Sequence, residues 1–126
     1  MSKISVCIDV SEMSKAILFY TQALGCELVN EADEYTELSF DGLKMYLACR
    51  ESGSNPLIKG EASRSFERHW TPIHLDFHVT NIDQCVSTIV ELGGVKEGES
   101  TGDWGVAAFC TDPFGNGFCV MQYNSE

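Results

Sequence analysis

The residues best equipped for chemistry cluster in one short stretch, residues 73–79, which reads IHLDFHV. His74, Asp76 and His78 occupy alternate positions, so in an extended backbone their side chains leave one face. A histidine beside a carboxylate is a general-base arrangement. The carboxylate sets the tautomer and charge of the imidazole, which then exchanges a proton near neutral pH. The same residue types bind metals, and Cys7 and Cys119 would add thiolates of the kind zinc favours. Neighbours along a strand face stand about 6–7 Å apart, which is too far for His74, Asp76 and His78 all to hold one ion. Ser5, Cys7 and Asp9 alternate in ISVCIDV, and Tyr46 offers a hydroxyl in KMYLA. Trp70 and Trp104 offer flat faces for stacking on a ligand.

Composition narrows the partners. A net charge of −11 argues against nucleic acid and anionic membrane surfaces, which need a basic face, and is compatible with a cationic ligand. No apolar run approaches the ~18 residues of a membrane span. The six cysteines, Cys7, Cys26, Cys49, Cys85, Cys110 and Cys119, form no CxxC pair and mostly lie in apolar runs. No secretory signal is read at MSKISVCIDV, so a cytoplasmic, reducing location with free thiols is expected. Most of these cysteines read as small buried hydrophobes. A reactive thiolate needs an electropositive neighbour, and for Cys119 only His74 is in view.

An internal repeat positions these residues. In residues 4–10, Ile4, Val6, Ile8 and Val10 alternate with Ser5, Cys7 and Asp9, the period of a strand with one covered face. A shift of 69 residues lays this segment on 73–79. The same shift carries Met13, Ala16, Ile17 and Tyr20 onto Ile82, Cys85, Val86 and Ile89, both with the spacing of an amphipathic helix face. Ser11 and Asn81 are the expected N-caps, and Leu24-Gly25 and Leu92-Gly93 the expected ends. Strand patterns follow at 26–30, 34–40 and 44–49, with Asp41-Gly42 as a hairpin turn, and again at 95–97, 105–111 and 117–123. The turn-rich DPFGNG joins the last two. Residues 1–50 thus form one βαβββ module and 73–126 a second. Residues 51–72 connect them, with one helical turn expected near 65–69. The class is α+β. The polar strand faces should line a shared concavity, the usual setting of a small-molecule site.

The whole chain resembles the vicinal-oxygen-chelate superfamily, the glyoxalase/bleomycin-resistance/dioxygenase group. SEMSKAILFYTQALGCELV is similar to its first helix, HLDFHVTNIDQCVSTIVELGG to its second strand-helix unit, and DPFGNGFCVMQY to its closing hairpin. RHWTPIHLDF together with DPFGNGF looks like a bacterial branch of that superfamily. The resemblance implies two βαβββ modules forming a curved mixed sheet with a concave pocket, and a homodimer. Function does not follow from it, because the fold carries lyases, isomerases, dioxygenases, thiol transferases and non-catalytic drug binders.

Metal-using members of the superfamily place His or Gln on the first strand, Glu on the last strand of the first half, His on the first strand of the second half and Glu on the final strand. Here those positions fall on Ser5, near Tyr46, on His74 and on Cys119. Only His74 is a usual ligand, so no family-type metal centre and no cofactor are expected. An atypical zinc or nickel site is the alternative. The first functional reading is a metal-independent protein binding a small cationic or aromatic molecule, with Ser5, Cys7, Asp9, Tyr46, His74, Asp76, Trp104 and Cys119 as the lining. The second is a glyoxalase-like lyase or isomerase, or a thiol transferase, in which His74 is the base, oriented by Asp76, or a ligand of an atypical metal. A ring-cleaving dioxygenase is disfavoured, since it needs iron and the usual His and Glu ligands.

Overall fold

A computed structural model describes residues 3–124, and the order β-α-β-β-β occurs twice within them. β1 (Ser5–Val10), α1 (Met13–Gln22), β2 (Glu27–Asn30), β3 (Tyr35–Phe40) and β4 (Leu43–Cys49) form the first unit. β5 (Leu75–His78), α2 (Ile82–Glu91), β6 (Val95–Gly102), β7 (Gly105–Thr111) and β8 (Gly117–Tyr123) form the second. Each unit builds a four-stranded mixed sheet, in the matching orders β1-β4-β3-β2 and β5-β8-β7-β6. The first strand of each unit pairs parallel with the last, and the other pairs are antiparallel. This is the expected α+β architecture, with its strands divided between two hydrogen-bonded sheets.

The strands follow from the alternation. Val10 is buried while Ser5 and Cys7 stay exposed. Asp41 and Gly42 both take positive φ, 49° and 84°, which suits the two-residue turn joining β3 and β4. β6 runs further than the 95–97 expected, to Gly102, because its largely polar residues pair with β7 past a bulge between Lys96 and Gly98. Pairing to a formed neighbour sustains a strand that its own hydrophobic pattern does not announce.

Both helices lie where the repeat placed them. α1 packs on β2 and β4, and α2 on β6, β7 and β8. Asn81 caps α2 as expected, its side chain accepting from the Gln84 N–H at 3.1 Å. Ser11 does not cap α1. Glu12 holds that position and no side-chain bond caps the end. Ser11 lies one residue too early to reach the first-turn amides, so α1 forgoes a contribution of about 1 kcal/mol. No helical turn forms near 65–69 either. There the Ser65 hydroxyl accepts from the Glu67 N–H, and Arg64 exchanges backbone bonds with Gly53 and Ser54.

One core serves both units. Rings run edge to face from Phe40 to Phe77 (5.2 Å), Phe77 to Phe118 (5.7 Å) and Phe118 to Phe19 (6.1 Å), crossing from the first unit to the second and back. Phe19, Phe77 and Phe118 are buried, and burying each stabilises the fold by about 1.5–3 kcal/mol. A polar seam runs beside the rings. The Tyr20 hydroxyl donates to Asp112 Oδ2 at 2.6 Å, and Asn116 Nδ2 donates to the Asp9 carbonyl at 3.0 Å. DPFGNG is therefore both the β7–β8 turn and the clasp that holds the second unit to α1 and β1.

Candidate functional site

β5 begins at Leu75, so His74 stands just outside the ladder and not on a strand face as expected. Its side chain turns back, and Nε2 lies 3.2 Å from Asp76 Oδ1. Asp76 is opposite Cys119 in the parallel β5–β8 register. The Cys119 thiol is pushed up to about 11 by burial, by the charge of Asp76 and by its hydrogen bond with Asp76. It is therefore a protonated thiol near neutral pH. His74, Asp76 and Cys119 make one cluster, whose candidate donor atoms all lie within 4.8 Å of one another. His78 is not part of it, since its ring sits 5.1 Å from that of Tyr123.

Above the cluster opens a cavity of about 320 Å³, lined in part by His74, Cys119, Trp70, Phe109, Arg68 and Glu97. Arg68 and Glu97 pair side by side: Nε donates to Oε2 at 2.7 Å and Nη2 to Oε1 at 3.0 Å. This bidentate contact lowers the Glu97 pKa and raises that of Arg68. The guanidinium lies across Gly117, where a Cβ would stand 2.8 Å from Nη2. Gly115, at φ +85°, passes so close beneath the connector that a Cβ would meet the Glu67 backbone at 2.8 Å. These two turn glycines let the connector settle onto β8 and form a wall of the cavity.

A second cavity, of about 380 Å³, follows the seam between the units and shares His74 with the first. Cys7 and Asp9 line it from β1. The Cys7 thiol, exposed but partly desolvated against its neighbours, is raised by that desolvation and by the charge of Asp9. Asp9 is already engaged, its Oδ2 accepting from Arg64 Nε at 2.8 Å. Ser5, Tyr46 and Trp104 line neither cavity. Ser5 borders a depression with Lys3 and Lys44, Tyr46 is opposite Cys7 on β4, and Trp104 packs on Tyr123 with ring centres 5.7 Å apart. The structure thus gathers His74, Asp76 and Cys119, places Cys7 and Asp9 in the adjoining cavity, and leaves Ser5, Tyr46 and Trp104 off both linings. Arg68, Glu97 and Phe109 were not foreseen. The Arg68–Glu97 pair spans 29 positions, and Phe109 shows only as another apolar residue of β7.

The sequence matches the family described as a glyoxalase-like domain over residues 5–121. The chain belongs to the glyoxalase-like domain family. It is thereby a member of the vicinal-oxygen-chelate superfamily. Among solved structures it is similar to the genomically encoded fosfomycin resistance protein FosX from Listeria monocytogenes, at 16% identity and a TM-score of 0.73 over 99% of this chain and 95% of that one. It is similar to FosX from Mesorhizobium loti, at 11% identity and a TM-score of 0.71 over 98% and 93% of the two chains. It is also similar to a hypothetical protein from S. aureus, at 18% identity and a TM-score of 0.69 over 97% of each chain. At these identities the likeness shows the fold alone. Comparison with curated proteins finds no match. Among the described residues no helix is long and apolar enough to cross a membrane.

One structure of the Listeria protein is a complex with Mn(II) and a sulfate ion. The residues here do not fit a manganese centre drawn from both halves. Ser5 and Tyr46, at the first-half positions, are poor ligands and line neither cavity. Cys119 brings a soft sulfur, whereas Mn(II) prefers carboxylate, carbonyl and water oxygens.

Proposed function

We propose that this glyoxalase-like protein binds a small molecule in the cavity over β8, without the four-ligand metal centre of its superfamily. The cavity itself carries the reading. Trp70 and Phe109 supply flat walls, and Arg68 and Glu97 supply a polar wall with one charge of each sign. The acidic whole adds a field that draws cations. A flat aromatic molecule bearing a cationic or donor group suits such a site. We also read the protein as a cytoplasmic homodimer. Ile4, Trp70 and Ile73 are 81%, 77% and 84% exposed, apolar surface that a second copy would cover.

The test is a titration of chelator-treated protein with aromatic cations, followed by tryptophan fluorescence. Saturable quenching that is lost in Trp70→Ala and kept in Trp104→Phe is expected. Its absence across a broad panel would end the reading. Sedimentation of the same sample tests the dimer.

A second reading is favoured by the 3.2 Å contact between His74 and Asp76. Asp76 would orient the His74 imidazole as a general base in a lyase, isomerase or thiol-transfer reaction. Turnover of a glyoxalase-type or thiol-transfer substrate, abolished in His74→Ala and reduced in Asp76→Asn, would favour this over simple binding.

A further inference from the structure

The superfamily's four positions do not suit manganese here, yet two of them, His74 and Cys119, line the cavity and gather with Asp76 into one donor cluster. We propose that His74, Asp76 and Cys119 form a zinc site supplied entirely by the second βαβββ unit.

The geometry is close to what the ion requires. Ligand atoms on a tetrahedral zinc, at bond lengths of about 2.0–2.3 Å, stand roughly 3.3–3.8 Å from one another. His74 Nε2 and Asp76 Oδ1 are already 3.2 Å apart, and no donor pair in the cluster exceeds 4.8 Å. Closing the remaining gap takes a movement of about 1 Å, within the reach of small side-chain adjustments. The backbone sets up the rest. Direct pairing of Asp76 with Cys119 sends both side chains from one face of the sheet. His74, one residue before the ladder, can turn its imidazole back over Asp76.

The donor chemistry selects the metal. One imidazole nitrogen, one carboxylate oxygen and one thiolate sulfur make a zinc set, since the sulfur favours zinc over manganese, magnesium or calcium. On binding, the Cys119 proton leaves to solvent and the sulfur bonds the ion. The thiolate and carboxylate together balance the two positive charges. Three protein ligands leave the fourth tetrahedral position open, as catalytic rather than structural zinc sites do. His74 and Cys119 line the cavity, so water or a donor atom of a molecule bound there would complete the shell. The set departs from the superfamily's in its sulfur, in its use of Asp76, and in taking nothing from the first unit. Only the identity of the fourth ligand rests on the cavity reading above.

The experiment uses the full chain, stripped with chelator, incubated with Zn(II) alone, desalted and measured by elemental analysis. One zinc per chain is expected for the parent and for Cys7→Ser, with zinc lost in Cys119→Ser, His74→Ala and Asp76→Asn. Loading with Co(II) should give the thiolate-to-cobalt charge-transfer absorption, absent in Cys119→Ser. Circular dichroism of each variant checks that it is folded. Zinc retained equally in Cys119→Ser, no zinc in the parent, or a cobalt spectrum without the thiolate band would each overturn the site. No organic ligand enters these measurements, so the aromatic-cation titration can fail while the zinc site stands, and the reverse.

Discussion

Asp112 is a carboxylate at 2% exposure, and four hydrogen bonds from three residues explain how it is tolerated. Oδ2 accepts from the Tyr20 hydroxyl at 2.6 Å and from Asn116 Nδ2 at 2.9 Å, while Oδ1 accepts from the Phe114 and Asn116 N–H groups at 2.8 and 3.0 Å. Burial raises its pKa, and the hydrogen bonds oppose that shift without cancelling it. Tyr20→Phe removes the only one of these bonds that comes from the first unit, and it leaves a buried oxygen short of a donor. A loss of about 1–3 kcal/mol is expected. The urea midpoint should fall with an unchanged slope, because the variant exposes no more surface on unfolding. His74 and Asp76 show what was readable at this scale. Both read as chemical residues, with Asp76 open to pairing with His74 or to binding a cationic group of a ligand, and the structure shows the contact with His74. Arg64 on Asp9 was not readable, because 55 positions separate them and nothing local marks the contact.

The elements that matter most for the site are the DPFGNG turn and the connector lying on it. Gly115→Ala should cost about 1–3 kcal/mol, since a side chain at φ +85° is strained and its Cβ would press on the Glu67 backbone. Gly117→Ala should cost less stability, because its Cβ meets the movable end of Arg68. It should instead displace the guanidinium from Glu97 and weaken binding in the cavity, which thermal melts and ligand titration run side by side would separate. The Arg68–Glu97 pair also makes a pH-dependent contribution. Glu97 titrates below its ordinary value of 4.5 in the folded chain, so the pair contributes stability above that value and loses it as the pH falls through the lowered one. In a Trp104→Phe background, Trp70 fluorescence should change over that acid range. Adding Glu97→Gln should remove the transition. The connector was legible as a connector from its polar residues and glycines. Its path was not, because loops take their course from what they land on.

At the scale of the whole molecule, the row Phe40–Phe77–Phe118–Phe19 joins the two units in one core, so they should unfold together. Phe77→Ala, at the centre of that row, should destabilise the chain by about 3–5 kcal/mol. Unfolding followed by near-ultraviolet dichroism and by fluorescence should still coincide. Two separate transitions would mean that each βαβββ unit holds its own core.

The repeat was visible because periods of 2 and 3.6 are properties of the backbone that any chain must display to bury one face. Those two periods, repeated 69 residues apart, were therefore enough to read the α+β architecture, both helices and most of the strands. The same local reasoning placed His74 on a strand face, spread the site over Ser5, Tyr46 and Trp104, and expected a helical turn where the connector has none. Only the tertiary structure decided where the β5 ladder starts, that Asp76 meets Cys119 across it, and that Arg68 reaches Glu97. Those outcomes depend on strand register and on how a loop packs, which are set by contacts between distant segments and leave no period in the sequence.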